Sequence, residues 1–237
     1  MANPQAGATG ADTEVPSAVE YGADVPDETE LRLCGDVRGK RVLVLGCGDG
    51  RNAVAFARQG AHAIALDPSG AALAAGRRLA AAAEARVEWH EGDPAALAFL
   101  RADSIDLAFA AGLLPTIEDV DRLFRQVHRV LRPGAAFVFS YDHPLQLVLA
   151  REQDGPGVLP LGRREVRRSY FEPGPVEITL GAVTVRVWPR TVAAVFGALH
   201  RAGLRVDALL EPEPVRSPDP GPAVPTTIVW RARKEGM

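Results

Sequence analysis

Between residues 41 and 140, short runs of consecutive apolar residues alternate with longer stretches whose apolar positions recur at helical spacing. Residues 42–45 (VLVL), 63–66 (AIAL), 105–109 (IDLAF) and 136–140 (AFVFS) are the short runs, and they suit strands buried on both faces of a parallel sheet. Residues 86–89 alternate as an edge strand does, and a helical turn is predicted near residues 94–100. Residues 52–59 are alanine-rich and stop at Gly60, a left-handed cap. Ser69 can cap a second alanine-rich helix that runs to residue 84. The clearest helix covers residues 118–131, where Val120, Leu123, Phe124, Val127, Val130 and Leu131 form one stripe. Thr116 and Asp119 make its capping box, and Pro133-Gly134 its stop. Much later Val192, Val195, Phe196 and Leu199 mark another amphipathic helix, ended at Gly203 and followed by strands at 204–210 and 226–232.

Alternation of this kind implies right-handed crossovers and a doubly wound α/β fold with helices on both faces of the sheet. Residues 1–19 are small, polar and acidic and are expected to form a disordered tail. A lead-in with a short helix near residues 28–33, started by Pro26-Asp27 and stopped by Gly35, follows. Residues 20–237 then read as a single domain with an insertion or lid at 141–190. That stretch carries a loop with Gly155 and Pro156, an arginine cluster (Arg163, Arg164, Arg167, Arg168) and a hairpin of strands 176–180 and 183–188 around Gly181-Ala182.

Hydrophobic residues at 47% and charged residues at 24% fit a globular protein rather than a disordered or coiled-coil one. A net charge of -3 gives no general attraction to phosphate backbones or anionic lipid, so neither nucleic acid nor membrane is expected as a partner. Cys34 and Cys47 match no disulfide framework, zinc site or redox pair. With no leader-like or membrane-length apolar stretch, a cytoplasmic protein is expected. No acidic set has octahedral ligand spacing, so no metal is expected.

The candidate chemistry centres on VLVLGCGDGRN, residues 42–52, where a buried strand, a glycine-rich turn and a helix start form a cofactor-binding unit. A dinucleotide fingerprint wants glycine at its first, third and sixth positions. Gly46 and Gly48 supply two, but Arg51 occupies the last place and the third glycine is Gly50. A side chain at that place obstructs close helix approach to a pyrophosphate, whereas a ligand without phosphates does not require the glycine. Asp67 follows the second strand roughly 20 residues on, where a carboxylate accepts from both ribose hydroxyls and repels a 2'-phosphate. Asp93, after the third strand, lies along the same carboxyl edge and can accept from an exocyclic adenine amine.

Taken together, LGCGDG (45–50), ALDPS (65–69), EGDPAAL (91–97), SIDLAFA (104–110) and VHRVLRPG (127–134) resemble the class I S-adenosylmethionine-dependent methyltransferases. The resemblance covers residues 20–234. RSYF (168–171) and PRTV (189–192) are similar to one actinobacterial-type, small-molecule subgroup. It implies a Rossmann-like seven-stranded sheet, mostly parallel with a reversed last strand, and S-adenosyl-L-methionine as cofactor. The methionine end is then expected at the glycine loop, ribose at Asp67 and adenine near Asp93. The implied cofactor-binding set is Tyr21 as a cover, with Gly46, Cys47, Gly48, Asn52, Asp67, Pro68, Asp93, Pro94 and Ala110. One position departs from the pattern: the usual acid two residues before the first glycine, which ordinarily helps hold the amino-acid end, is Val44.

The implied reaction is in-line transfer of a methyl group to a small-molecule acceptor. A sulfonium methyl is already activated, so few dedicated catalytic groups are required. His143, in SYDHP at the carboxyl edge of the fifth strand, can take a proton from an acceptor hydroxyl or amine, and Tyr141 and Tyr170 are further candidates. His62, His90 and His200 sit at element ends, and His128 borders a helix stripe. The arginine cluster either recognises an anionic substrate or forms a solvated face. Leu113 and Leu114 provide an apolar rim, and residues 110–115 lack the Asn/Asp-Pro-Pro-aromatic motif of enzymes that methylate nucleic-acid amines. Two alternatives stand beside this reading: a cofactor-binding protein without catalysis, suggested by Val44, and a nicotinamide-dependent oxidoreductase, disfavoured by Arg51 and the paired Asp67 and Asp93.

Overall fold

The computed structural model describes residues 15–23, 25–149, 166, 168–180, 183–215 and 224–236. Residues 1–14 of the expected tail, together with Gly155, Pro156, Arg163, Arg164, Arg167, Gly181 and Ala182, lie outside the described residues. Strands β1 (Arg41–Leu45), β2 (His62–Asp67), β3 (Val87–Glu91), β4 (Ile105–Ala111) and β5 (Leu131–Asp142) run parallel. The hairpin β6 (Val176–Leu180) and β7 (Val183–Val187) forms its own small antiparallel sheet, as its turn residues predict. β8 (Leu204–Leu210) and β9 (Thr227–Lys234) complete a seven-stranded sheet of order β3-β2-β1-β4-β5-β9-β8. β9 runs against both neighbours, which is the reversed last strand.

Helices α1 (Glu28–Leu31), α2 (Arg51–Arg58), α3 (Gly70–Ala82), α4 (Val120–Val130), α5 (Leu145–Val148) and α6 (Val192–Arg201) fill the crossovers and connections. Because the central strands are apolar on both faces, they bury two separate cores. One holds the α4 stripe, Phe137, Phe139, Tyr141, Trp230 and the inner face of α6. The other holds Tyr21, Val44, Phe56 and Phe109 under α2 and the lead-in.

Several local expectations are corrected. Asp119, not Thr116, caps α4, its carboxylate accepting from Arg122 N at 2.8 Å, while Thr116 Oγ1 donates to the Leu113 carbonyl. Pro133-Gly134 does not precede β5 but lies within it, where the pairing with β4 slips from Ile105↔Leu131 to Leu107↔Ala136. The turn expected near residues 94–100 is there as two single turns, closed by Ala96 N donating to the Asp93 carbonyl at 2.9 Å and Leu100 N to the Leu97 carbonyl at 3.0 Å. Arg32, in left-handed backbone, ends α1 before Gly35, and the Glu28 carboxylate accepts from Leu33 N and Cys34 N beyond it. Phe196 is exposed although its spacing placed it on the apolar stripe of α6. Ala18 and Val19, assigned to the tail, are buried, because Val19 packs into the second core.

Candidate active site

The carboxyl edge of a parallel sheet is open where neighbouring crossovers leave on opposite sides, here between β1 and β4. The glycine loop sits at that point. Gly46, Gly48 and Gly50 have φ of 60°, 54° and 81°, left-handed values that residues with a Cβ rarely adopt, so the three glycines are dictated by the turn. The loop is held by β2: the Asp67 carboxylate accepts from Gly48 N at 2.8 Å and from Ser69 N at 2.9 Å. Asp67 is only 1% exposed. Burial pushes its carboxyl up from the ordinary value, and the two backbone N–H groups oppose that rise by favouring the anion.

Gly46, Asp67, Pro68, Asp93 and Pro94 line one cleft together with Leu113, Thr116 and Ile117. Its volume of about 220 Å³ makes it an open trough rather than a chamber enclosing a whole ligand. Asp93 lies exposed at the rim, one oxygen accepting from Ala95 N at 2.8 Å. The floor has no slack: a Cβ on Gly46 would stand 2.7 Å from Leu113 Cδ1. Behind the loop, the indole of Trp89 wedges between α2 and α3, and a Cβ on either Gly50 or Gly76 would stand 2.6 Å from its ring. Gly76, inside an alanine-rich helix, was passed over in the sequence, although an isolated helical glycine often marks such close packing. Thr116 and Ile117 were missed as cleft residues because the capping pattern claimed that stretch. Their position just after β4, at the carboxyl edge, was the available signal.

The remaining expected cofactor residues do not line this trough. Tyr21 is fully buried in the second core, its ring 5.7 Å from Phe109 and its hydroxyl bonded to the Glu28 carboxylate. Asn52 ties the lead-in to α2, accepting from Glu20 N at 2.7 Å and donating to the Glu20 carbonyl at 3.0 Å. Cys47 is buried, and its thiol is pushed up to about 12 by desolvation first and the Asp67 charge second, so it is no nucleophile at neutral pH. Ala110 belongs to the first core at the end of β4, and Val44 to the second, paired with Ala65 and Phe109. An acid at position 44 would face that apolar core.

Of the proton-transfer candidates, His143 is engaged at both ring nitrogens. Nδ1 accepts from Leu145 N at 3.2 Å, which places the proton on Nε2, and Nε2 lies 2.9 Å from Glu211 Oε1. With that tautomer no lone pair is left for a substrate proton, so this geometry does not present a general base; the imidazole orders α5 instead. Burial lowers the His143 pKa, with Glu211 acting the other way, and burial also lowers that of His128. A histidine depressed in the fold binds fewer protons than in the unfolded chain. Both should therefore contribute stability above the ordinary pKa of about 6.5 that is lost as pH falls through their folded values. Denaturant titrations should show lower stability at pH 5.5 than at pH 7.5, and His143→Gln should reduce that difference; equal slopes in both proteins would exclude His143 as a source.

The Tyr170 hydroxyl oxygen accepts from Val192 N at 2.9 Å, at the start of α6. Tyr141 is different. It is 4% exposed, and its hydroxyl finds no hydrogen-bond partner among the described residues. Trp230 Nε1 is in the same position; it lies diagonally across the β5–β9 pair on the same sheet face, near Tyr141 but short of bonding geometry. Burial pushes the Tyr141 phenol well above its ordinary pKa, so it stays protonated and can donate. Among the described residues no group of three acidic, histidine or cysteine side chains is placed to hold a metal, and no helix is long and apolar enough to cross a membrane.

A methyltransferase-domain family matches residues 42–134, the span from β1 into β5 that carries the trough. The chain is 32% identical over 102 residues to the ubiquinone biosynthesis O-methyltransferase of Hahella chejuensis, covering 43% of each chain. It is 35% identical over 107 residues to the demethylmenaquinone methyltransferase of Clavibacter sepedonicus, covering 45% of this chain and 43% of that one. It thus spans under half the length of these curated relatives. A solved S-adenosylmethionine-dependent methyltransferase from Mesorhizobium loti is similar over nearly its whole length: 32% identity, TM-score 0.71, 85% of this chain and 94% of that one. A Listeria monocytogenes structure, at 22% identity and TM-score 0.72, shares the fold.

Proposed function

Because the chain belongs to the class I S-adenosylmethionine-dependent methyltransferases, we propose that it binds S-adenosyl-L-methionine along the Gly46–Asp67–Asp93 trough and methylates a small-molecule acceptor. The observation that carries this reading is the convergence of three strand ends on one trough: Gly46 after β1, Asp67-Pro68 at β2 and Asp93-Pro94 after β3. The donor set suits the cofactor. Each Asp67 oxygen accepts one backbone N–H and keeps a second acceptor site for a ribose hydroxyl, and Asp93 is free at the rim to accept from an amine. Among the described residues no cationic side chain lines the trough to meet a pyrophosphate, which supports an unphosphorylated adenosine over a dinucleotide. Bound there, the cofactor supplies a methyl group activated by its sulfonium charge. With Val44 in the apolar core, the amino-acid end falls to the backbone of the glycine loop.

The protein's own part is to hold the acceptor in line and exclude water. The names of the curated relatives, which concern quinone biosynthesis, support a small organic acceptor. Tyr141, rather than His143 or Tyr170, is the residue proposed to meet it, since both His143 nitrogens are engaged, the Tyr170 oxygen already accepts from Val192 N, and the buried Tyr141 hydroxyl has no partner among the described residues. Leaving a buried hydroxyl unpaired costs about 1–3 kcal/mol, so Tyr141→Phe should raise the melting temperature of the ligand-free protein while lowering turnover at least tenfold. A lowered melting temperature with unchanged turnover would remove Tyr141 from the site. The activity itself is tested by calorimetry with S-adenosylhomocysteine against NADH, followed by mass spectrometry of phenol and quinol acceptors incubated with S-adenosyl-L-methionine. Preferential NADH binding would overturn the reading. Cofactor binding without any methylated product would favour a non-catalytic role.

A further inference from the structure

Arg190 lies three residues beyond β7, outside the trough, yet its guanidinium reaches the segment that forms the trough's far wall. One terminal nitrogen donates to the Trp188 carbonyl at 3.0 Å and the Leu114 carbonyl at 3.5 Å; the other donates to the Ile117 carbonyl at 2.5 Å and the Glu118 carbonyl at 2.7 Å. Beside it Trp188 N donates to the Pro115 carbonyl at 2.7 Å. These bonds seize every residue but one from Leu114 to Glu118. The exception, Thr116, is fixed by its own hydroxyl to the Leu113 carbonyl at 2.8 Å. Thr116 and Ile117 of that stretch, with Leu113 just before it, line the trough, and Leu113 packs against Gly46 with no room for an added methyl.

The nearby acids are otherwise occupied. Asp119 caps α4, and Asp121 pairs with Arg201. Among the described residues no carboxylate forms an ion pair with Arg190. A half-buried cation held by carbonyls alone orients backbone, and a planar fork serves four acceptors in a way that a point-like ammonium does not.

We propose that Arg190 is a positioning residue: it fixes the Leu113–Ile117 wall of the cofactor trough from behind and joins the β6–β7 hairpin to that wall as one mechanical unit. This rests on the cofactor reading of the trough. A displacement of the wall by a few tenths of an ångström presses Leu113 into the glycine loop, because interiors so packed transmit strain rather than absorb it.

The test measures S-adenosylhomocysteine affinity by calorimetry well below the melting temperature, with folding checked by circular dichroism, for Arg190→Lys and Arg190→Met. Affinity should fall about tenfold in Arg190→Lys and further in Arg190→Met. Low-millimolar guanidinium, but not methylammonium, should restore part of the loss in Arg190→Met. Combining Arg190→Lys with Thr116→Val, on the same wall, should give less than additive losses, whereas Arg190→Lys with Asp93→Asn, on the other wall, should be additive. Arg201→Ala, which breaks an exposed pair beside the clamp, should leave affinity unchanged. Should Arg190→Met fail to fold, the Lys variant and its cycles decide. Variants that melt earlier yet bind with wild-type affinity would overturn the proposal and leave a structural staple. Failure of the wild type to bind would instead overturn the cofactor reading, and the proposal with it.

Discussion

Asp67→Ala is expected to lose the cofactor and a substantial part of the protein's stability in one step. The carboxylate does two jobs with the same oxygens: it satisfies Gly48 N and Ser69 N, and it offers the remaining lone pairs to the ribose. Alanine orphans two backbone donors around a residue that is 1% exposed, and each unpaired buried donor costs about 1–3 kcal/mol. The glycine loop then loses its tether to β2, so affinity for S-adenosylhomocysteine should fall by more than about a hundredfold, beyond the single charge-assisted contact that a solvated ribose ligand would represent. Asp67→Asn separates the two jobs. It keeps one acceptor oxygen and the volume but turns an amide N–H toward one of the donors, so stability should fall less than in alanine while affinity remains poor. Calorimetry and chemical denaturation on both variants check this. Wild-type affinity in a folded Asp67→Ala protein would remove the residue from the binding site.

Gly76→Ala is expected to destabilise the protein by about 1–3 kcal/mol, as overpacking of a tight core does, although alanine is the better helix former and α3 is rich in it. The added methyl meets the benzo ring of Trp89 at 2.6 Å and the Asp49 carbonyl at 3.2 Å. Because the ring is the obstacle, Trp89→Phe in the same chain should recover part of the loss. Gly50→Ala meets the same ring, but its φ of 81° adds backbone strain that no change at Trp89 relieves. Denaturation midpoints of the singles and doubles separate the two causes. Rescue at position 50 as complete as at position 76 would contradict the role of backbone strain.

Those glycines also show what the sequence discloses and what it hides. Strand identity, helix order and the glycine loop were legible because each rests on a local pattern: apolar runs at 42–45 and 105–109, a cap at Ser69, a stripe through α4. Asp67 and Asp93 were legible because each stands at the end of a strand whose direction the alternation determines. Hidden were the contacts made by folding alone. Nothing near Gly76 announces Trp89, and nothing near Arg190 announces carbonyls more than seventy residues away. His143 was misjudged for the same reason. Its place at the sheet edge was correct, but Leu145 N and Glu211, which consume both nitrogens, sit at the start of α5 and just past the end of β8.

The interior place of β9 has a consequence for synthesis. Since Thr227–Lys234 lies between β5 and β8, a nascent chain on the ribosome can assemble β1 to β5 while the seat for this strand stays vacant. Until it emerges, β5 is an open apolar edge carrying Phe137, Val138 and Phe139, the kind of strand that recruits foreign strands. Soluble expression yield should therefore rise with chaperone co-expression, measured as the soluble fraction with and without added chaperone.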